Sequence, residues 1–182
     1  LCGKALDDRA GFAVLLDVLE RLQGKELDVD LYVLGSTQEE THSTGAITAA
    51  YEIAPQICVA VDVTHGDSPD ASKYETFKLG GGPVIGVGPN CVRSLSDMFK
   101  TIARKMDMPV QIEVMAGSSG TNAWPIQISR EGVATAVVSI PQRYMHTPAE
   151  VVHKKDLENT ARLLAAYVEE GCGPDREEGE PC

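Results

Sequence analysis

Apolar positions along the chain switch repeatedly between a helical and a strand period. In residues 8–22, Phe12, Leu15, Leu16, Leu19 and Leu22 recur at i, i+3, i+4, i+7 and i+10, which predicts a helix with one apolar face. Asp7 and Asp8 stand at its start, where carboxylates suit the positive end of the helix dipole. Residues 29–34 read as a short strand, and residues 43–53 as a second helix capped by Ser43 or Thr44. Residues 57–63 are nearly continuously apolar, the pattern of a strand buried on both faces. An irregular polar stretch over 64–79 ends in Gly80, Gly81, Gly82 and Pro83, and a strand is expected over 83–88. A helix over 92–106 and a strand over 110–115 follow. Beyond them come a Gly/Ser turn over 117–121, a short helix to about Arg130 and a strongly apolar strand over 134–140. The last helix, 155–170, places Leu157, Ala161, Leu164, Ala165 and Val168 on one face.

Strands alternating with helices imply an α/β protein whose mostly parallel sheet is covered on both sides. Ligand sites of such sheets lie at the carboxyl ends of the strands. Composition agrees with a soluble core: of 182 residues, 43% are hydrophobic and 24% charged, and no apolar run approaches a membrane span. The net charge of -11 argues against nucleic acid, whose phosphates it repels, but not against metal cations, which carboxylates attract. Five scattered cysteines without a CxxC pair, and no signal-peptide pattern, point to reduced thiols in a cytoplasmic protein. The non-Met start inside a dense polar motif reads as a truncated or processed beginning. Residues 169–182 carry six acidic residues and read as a flexible acidic tail behind a domain over 1–168.

Four polar clusters share one chemical character: Asp7-Asp8, Glu39-Glu40, Asp62 and His146. Singly, each has a plain explanation: a helix cap, a solvated loop, a turn carboxylate, a structural histidine. Together, at separate strand ends, they form a hard-to-borderline ligand set suited to Zn, Co or Mn. A pair of such ions would need about five protein ligands, and one of the adjacent glutamates could act as a general base instead.

The segment Lys4-Ala5-Leu6-Asp7-Asp8-Arg9-Ala10-Gly11 resembles the KALDDRAG motif of the TET and glutamyl aminopeptidases of metallopeptidase family M42, some of which carry an endoglucanase label. Gln38-Glu39-Glu40, Asp62-Val63-Thr64-His65, Gly82-Pro83-Val84-Ile85, Gly88-Pro89-Asn90 and Arg143-Tyr144-Met145-His146-Thr147-Pro148 match that family's further motifs in order. The resemblance implies a three-layer α/β/α zinc-peptidase-like fold and removal of N-terminal amino acids from peptides. It implies two divalent ions bridged by Asp7, with Glu40 and His146 on one, Asp62 on the other, and Glu39 as the base that deprotonates the attacking water. It also implies a cis peptide between Asp7 and Asp8, and a homo-oligomer built from dimers and reaching a dodecamer at full length.

Departures from the family pattern also carry expectations. Relatives have a further His ligand upstream and an inserted dimerisation domain, which predicts that this chain alone has little activity. Asp8 and His65 are expected beside the ligands, while His42 is read as a loop residue rather than a substitute ligand. Asn122 stands where relatives have the Asp of GTDA, so recognition of the substrate amine is expected to change; Trp124 and Pro125 are unusual there. An endoglucanase-like hydrolase, using two carboxylates about 5–9 Å apart, and an inactive structural fragment are the alternatives.

Overall fold

A computed structural model of the chain describes residues 1–69, 71–72 and 75–171. The elements are β1 (Cys2–Gly3), α1 (Leu6–Leu22), α2 (Glu39–His42), α3 (Thr44–Ile53), β2 (Ile57–His65), β3 (Val84–Val87), α4 (Arg93–Lys105), β4 (Gln111–Val114), α5 (Ala123–Ile126), β5 (Ala134–Arg143), β6 (Glu150–Val152) and α6 (Lys154–Glu169).

β5 is the spine of a six-stranded sheet. It pairs with β2 in parallel along its whole length, from Ile57 opposite Ala134 to His65 opposite Gln142. Its other edge is shared by β3 and β6, both antiparallel to it. β4 continues the sheet parallel to β3, and β1 closes it antiparallel to β6. The sheet is therefore mixed, although its two longest ladders are the parallel ones expected from the strand–helix alternation.

Side chains of a strand alternate between faces, and here the alternation fills two cores. Ala136, Val138 and Ile140 of β5 pack with Val63 of β2 under α1, α4 and α6. Val137 and Ala60 point the other way, toward Cys91, Met115 and Ala123. α3 and α5 cover that second face, where Ala46, Ala50 and Ile126 meet. Phe99 of α4 and Tyr167 of α6 stack at 4.4 Å between ring centroids. Burying a side chain such as Phe99 contributes about 1.5–3 kcal/mol. Asp156 is fully buried in α6, and its carboxylate accepts the Gly80 and Gly82 N–H groups at 2.7 and 2.9 Å, fastening the glycine turn before β3.

Three expectations need correction. α1 buries Ala10, Gly11, Val14, Val18 and Leu22, not the face of Phe12, Leu16 and Leu19, which stays substantially exposed. Small and β-branched residues at i, i+4 and i+8 let the helix approach the sheet closely, and the bulkier stripe is left outside. Residues 29–34 form no strand, because no neighbour within the described chain offers its edge to them. β2, expected to be buried on both faces, is only half-buried over most of its length, since β5 is its one partner among the described residues. Ser43 does occupy the N-cap position of α3 but makes no side-chain cap bond. Glu169 belongs to α6 and pairs with Lys25 at 2.5 Å, while residues 172–182 of the expected tail lie outside the described residues.

Candidate functional site

Asp7 lies at the entry to α1, where Asp7 and Asp8 depart from helical dihedrals and are joined by a cis peptide. Asp8 turns its carboxylate inward to accept the Gly11 N–H at 2.8 Å. A Cβ at position 11 would collide with that carboxylate, so glycine is required there. Glu39 and Glu40 open the single turn of α2, Asp62 lies near the carboxyl end of β2, and His146 follows β5.

The fold brings three of these together. His146 Nε2 lies 3.0 Å from Asp7 Oδ2 and 3.3 Å from Glu40 Oε2. One donor atom from each of Asp7, Glu40 and His146 falls within 4.8 Å of the others. Asp62 and Glu39 join them around one cavity of about 380 Å³, within the usual range for small-ligand sites. His65 and Glu113 form another part of its wall, with Ser119, Thr121 and Ser139. Among the described residues, no lysine or arginine lines it. His65 sits near Glu113, whose carboxylate accepts the Thr64 hydroxyl at 3.0 Å. His42 is exposed on α2 and does not line this cavity. Asn122 lies apart, donating to Ser36 Oγ at 3.0 Å, with its own Oδ1 buried and unpaired.

Crowded acids shift one another. Burial, reinforced by Glu40, raises the Asp7 carboxyl to about 6. Burial raises Asp8 to about 7, and burial together with the nearby Asp8 raises Asp62 to about 8. Glu39 is also raised, first by burial and then by Glu40 and Asp7. Two or three carboxylate oxygens and one imidazole nitrogen, converging in this way, suit a divalent ion of the Zn, Co or Mn type.

The residue that fastens this cluster lies outside every motif singled out in the sequence. Glu150 is 2% exposed. Its Oε2 accepts the N–H groups of Leu6 at 2.5 Å and Asp7 at 3.2 Å, and its Oε1 accepts the His146 N–H at 3.0 Å. One buried carboxylate thus ties the Asp7 and His146 backbones together. The available signal was a lone Glu in an apolar Ala-Glu-Val-Val run four residues past His146. Backbone conformation marks the same region: Ala5, Gln38, Ser43, Tyr144 and His146 all have φ between 51° and 60°. Non-glycine residues in that region are uncommon and gather at functional sites.

The α/β sheet, covered by helices on both faces, brings two acids and an imidazole together in an arrangement that could hold a divalent ion. The chain belongs to the M42 glutamyl aminopeptidase family, whose model matches residues 1–163. It is 39% identical over 165 residues to the lysyl aminopeptidase of Pyrococcus furiosus, covering 91% of this chain and 47% of that protein. An aminopeptidase from the archaeon Desulfurococcus kamchatkensis superposes with a TM-score of 0.86 at 39% identity, over 93% of this chain and 49% of that one. The TET1 peptidase of Pyrococcus horikoshii, which can assemble into a tetrahedron or a large octahedral shell, matches with a TM-score of 0.77 at 29% identity, over 93% of this chain and 50% of that one. The chain thus spans about half the length of the relatives it matches.

Proposed function

We infer that this chain carries the catalytic half of a metal-dependent aminopeptidase that removes the N-terminal residue of peptides. The observation that carries the reading is the meeting of Asp7, Glu40 and His146 within 4.8 Å, beside Glu39 and Asp62, in a family of aminopeptidases. Asp7, Glu40 and His146 would hold one divalent ion, and Asp62 with Asp7 a second. When bound, such ions polarise the scissile carbonyl and acidify water.

The protein's own groups do the rest. Glu39 takes the proton of the attacking water and returns it to the departing amine, the role that a carboxyl with a raised pKa suits. Glu150 holds Asp7 and His146 at a fixed separation through their backbones. The cavity wall carries Asp7, Glu39, Glu40, Asp62 and Glu113, with no lysine or arginine among the described residues, which favours a substrate bearing positive charge, beginning with its free amino terminus. Glu113 adds an acidic wall that suits a basic first side chain, in keeping with the lysyl specificity of the Pyrococcus furiosus relative. Assembly of the whole protein into a homo-oligomer follows the TET relatives.

The test is hydrolysis of lysyl- and glutamyl-p-nitroanilide by the Co- or Zn-loaded whole protein that carries this chain, with and without chelator, beside Glu39→Gln. Release favouring the lysyl substrate and lost with chelator and with Glu39→Gln is expected. Hydrolysis that survives both treatments contradicts the reading, and would instead suit a metal-independent pair of carboxylates.

A further inference from the structure

The Gly88-Pro89-Asn90 motif takes no part in the acid cluster, and it leads to a different wall of the same cavity. Asn90 is 1% exposed. Its Nδ2 donates to the Ala123 carbonyl at 3.2 Å, and its own carbonyl accepts the Thr135 hydroxyl of β5 at 2.6 Å. Ala123 opens α5, and its N–H donates to Thr121 Oγ1 at 3.2 Å. Thr121 Oγ1 lies in turn 3.0 Å from Ser119 Oγ, which also accepts the Thr121 N–H at 3.4 Å. A chain of hydrogen bonds therefore runs from the spine of the sheet to Ser119 and Thr121, which line the cavity together with the acids.

Each hydroxyl carries one hydrogen and two lone pairs, and burial orients the last link of the chain. Thr121 is buried, and among the described residues its hydroxyl hydrogen meets no acceptor but Ser119 Oγ. Were Ser119 the donor of that pair, the Thr121 hydrogen would be left buried without a partner, which folded proteins avoid. Thr121 therefore donates to Ser119. Both lone pairs of Ser119 are then filled, and its own hydrogen is free to point into the cavity. The other hydroxyls of the wall are not placed in this way: Thr64 donates to Glu113, and Ser139 is 1% exposed on β5. A peptide brings three kinds of polar group to such a cavity. Its free amine suits the acids, and its scissile carbonyl belongs at Asp7, Glu40 and His146. Past the scissile bond come uncharged backbone carbonyls, and an uncharged donor matches these. We propose that the Ser119 hydroxyl donates to the backbone carbonyl of the second residue of the peptide, with Thr121 and Asn90 as positioning residues behind it. The proposal rests on the reading of this cavity as a peptide site, and it makes that site selective for a peptide over an amino-acid amide.

The test compares Lys-Ala-Ala with lysinamide, which lacks the second carbonyl. Their binding is measured by calorimetry on the whole protein that carries this chain, in a Glu39→Gln background that stops hydrolysis. Lys-Ala-Ala should bind more tightly than lysinamide. Adding Ser119→Ala should weaken Lys-Ala-Ala about three- to tenfold, the usual worth of one neutral hydrogen bond, and leave lysinamide within about twofold. Ser119→Thr, which keeps the hydroxyl, should retain the preference, and Thr121→Val should reduce it in the same direction as Ser119→Ala. Three results would overturn the proposal. One is that Lys-Ala-Ala binds no more tightly than lysinamide. Another is that Ser119→Ala weakens both ligands alike or neither. The third is that Ser119→Ala and Thr121→Val lower the thermal midpoint with the preference intact, which would make the chain of hydrogen bonds a purely structural one. Hydrolysis of Lys-Ala-Ala by the unaltered protein is followed separately. Its absence, with the Ser119-dependent preference intact, would count against the peptidase reading alone.

Discussion

The two arms of the site are held by different means. Asp7 and His146 sit on the well-paired side of the molecule, where α1 packs against α6 and the sheet, and one buried carboxylate, Glu150, binds both of their backbones. Glu39 and Glu40 sit on a single helical turn approached through residues 29–36, which join no strand. The Asp7 side chain is 9% exposed, against 54% for Glu40. The first arm is built by buried, non-local hydrogen bonds and the second by local turns, with the Ser36–Asn122 bond reaching across to α5. The lesson is that a cluster can be geometrically assembled while its members differ widely in how firmly they are placed.

The largest effect should come from breaking the firm arm. Glu150→Ala leaves three backbone N–H groups without their acceptor, and each buried unsatisfied group costs about 1–3 kcal/mol. A loss of about 3 kcal/mol or more is expected, read as a fall of roughly 6–12 °C in thermal midpoint for a domain of this size. An unchanged midpoint would show that the two arms are not held differently. Glu39→Gln should do the reverse. Activity of the metal-loaded protein is expected to fall about 10²–10⁴-fold, the usual worth of a general base. Its stability should hold or rise slightly, because a half-buried carboxylate among like charges is removed.

Smaller effects sharpen the comparison through charge. Burial raises Asp62 to about 8, against about 4 for a free aspartate. Between those values the folded protein keeps a proton that the unfolded chain releases, so stability declines as pH rises. The contribution is therefore fullest below about pH 4 and is lost as pH climbs through 8; Asp7 and Asp8 act in the same direction. Scanning calorimetry of metal-free protein should show a midpoint about 5 °C or more higher at pH 5.5 than at pH 8.5, and added Zn or Co should restore it at the higher pH. No pH dependence, or the opposite one, would contradict the account of the cluster. The smallest effect is expected at the loose arm. Asn122→Ala removes one side-chain bond to Ser36, worth about 1 kcal/mol. Amides of residues 36–42 should exchange faster while those of β6 do not.

What the sequence disclosed divides along the same line. Helices α4 and α6 and strand β5 were legible because each buries a long periodic face. α1 was legible as a helix but not in its buried face, since the choice between the Ala10–Val14–Val18 stripe and the Phe12–Leu16–Leu19 stripe depends on how close the sheet comes. The short strands β1 and β6 escaped notice because two- and three-residue strands exist only through their partners. Residues 29–34 show the converse: a run rich in strand-forming residues states what a segment can do, and a neighbouring edge decides whether it does. Asp7, Glu40 and His146 stand out in the sequence as polar residues at predicted element ends, and the family motifs suggest their roles. Their spatial meeting spans more than a hundred residues and has no local signature. Glu150 was missed because a buried acid that binds backbone N–H groups looks, in a sequence, like any other glutamate.

The central claim is that Asp7, Glu40 and His146 form a cation site, and calorimetric titration of Co into metal-free protein at pH 7.5 tests it most directly. The comparison is with His146→Ala, whose side chain is 65% exposed, so the fold should tolerate its loss. The account predicts binding by the unaltered protein and affinity at least 100-fold weaker in the variant, with equal thermal midpoints in the absence of metal. Equal Co affinity in the two proteins would contradict it.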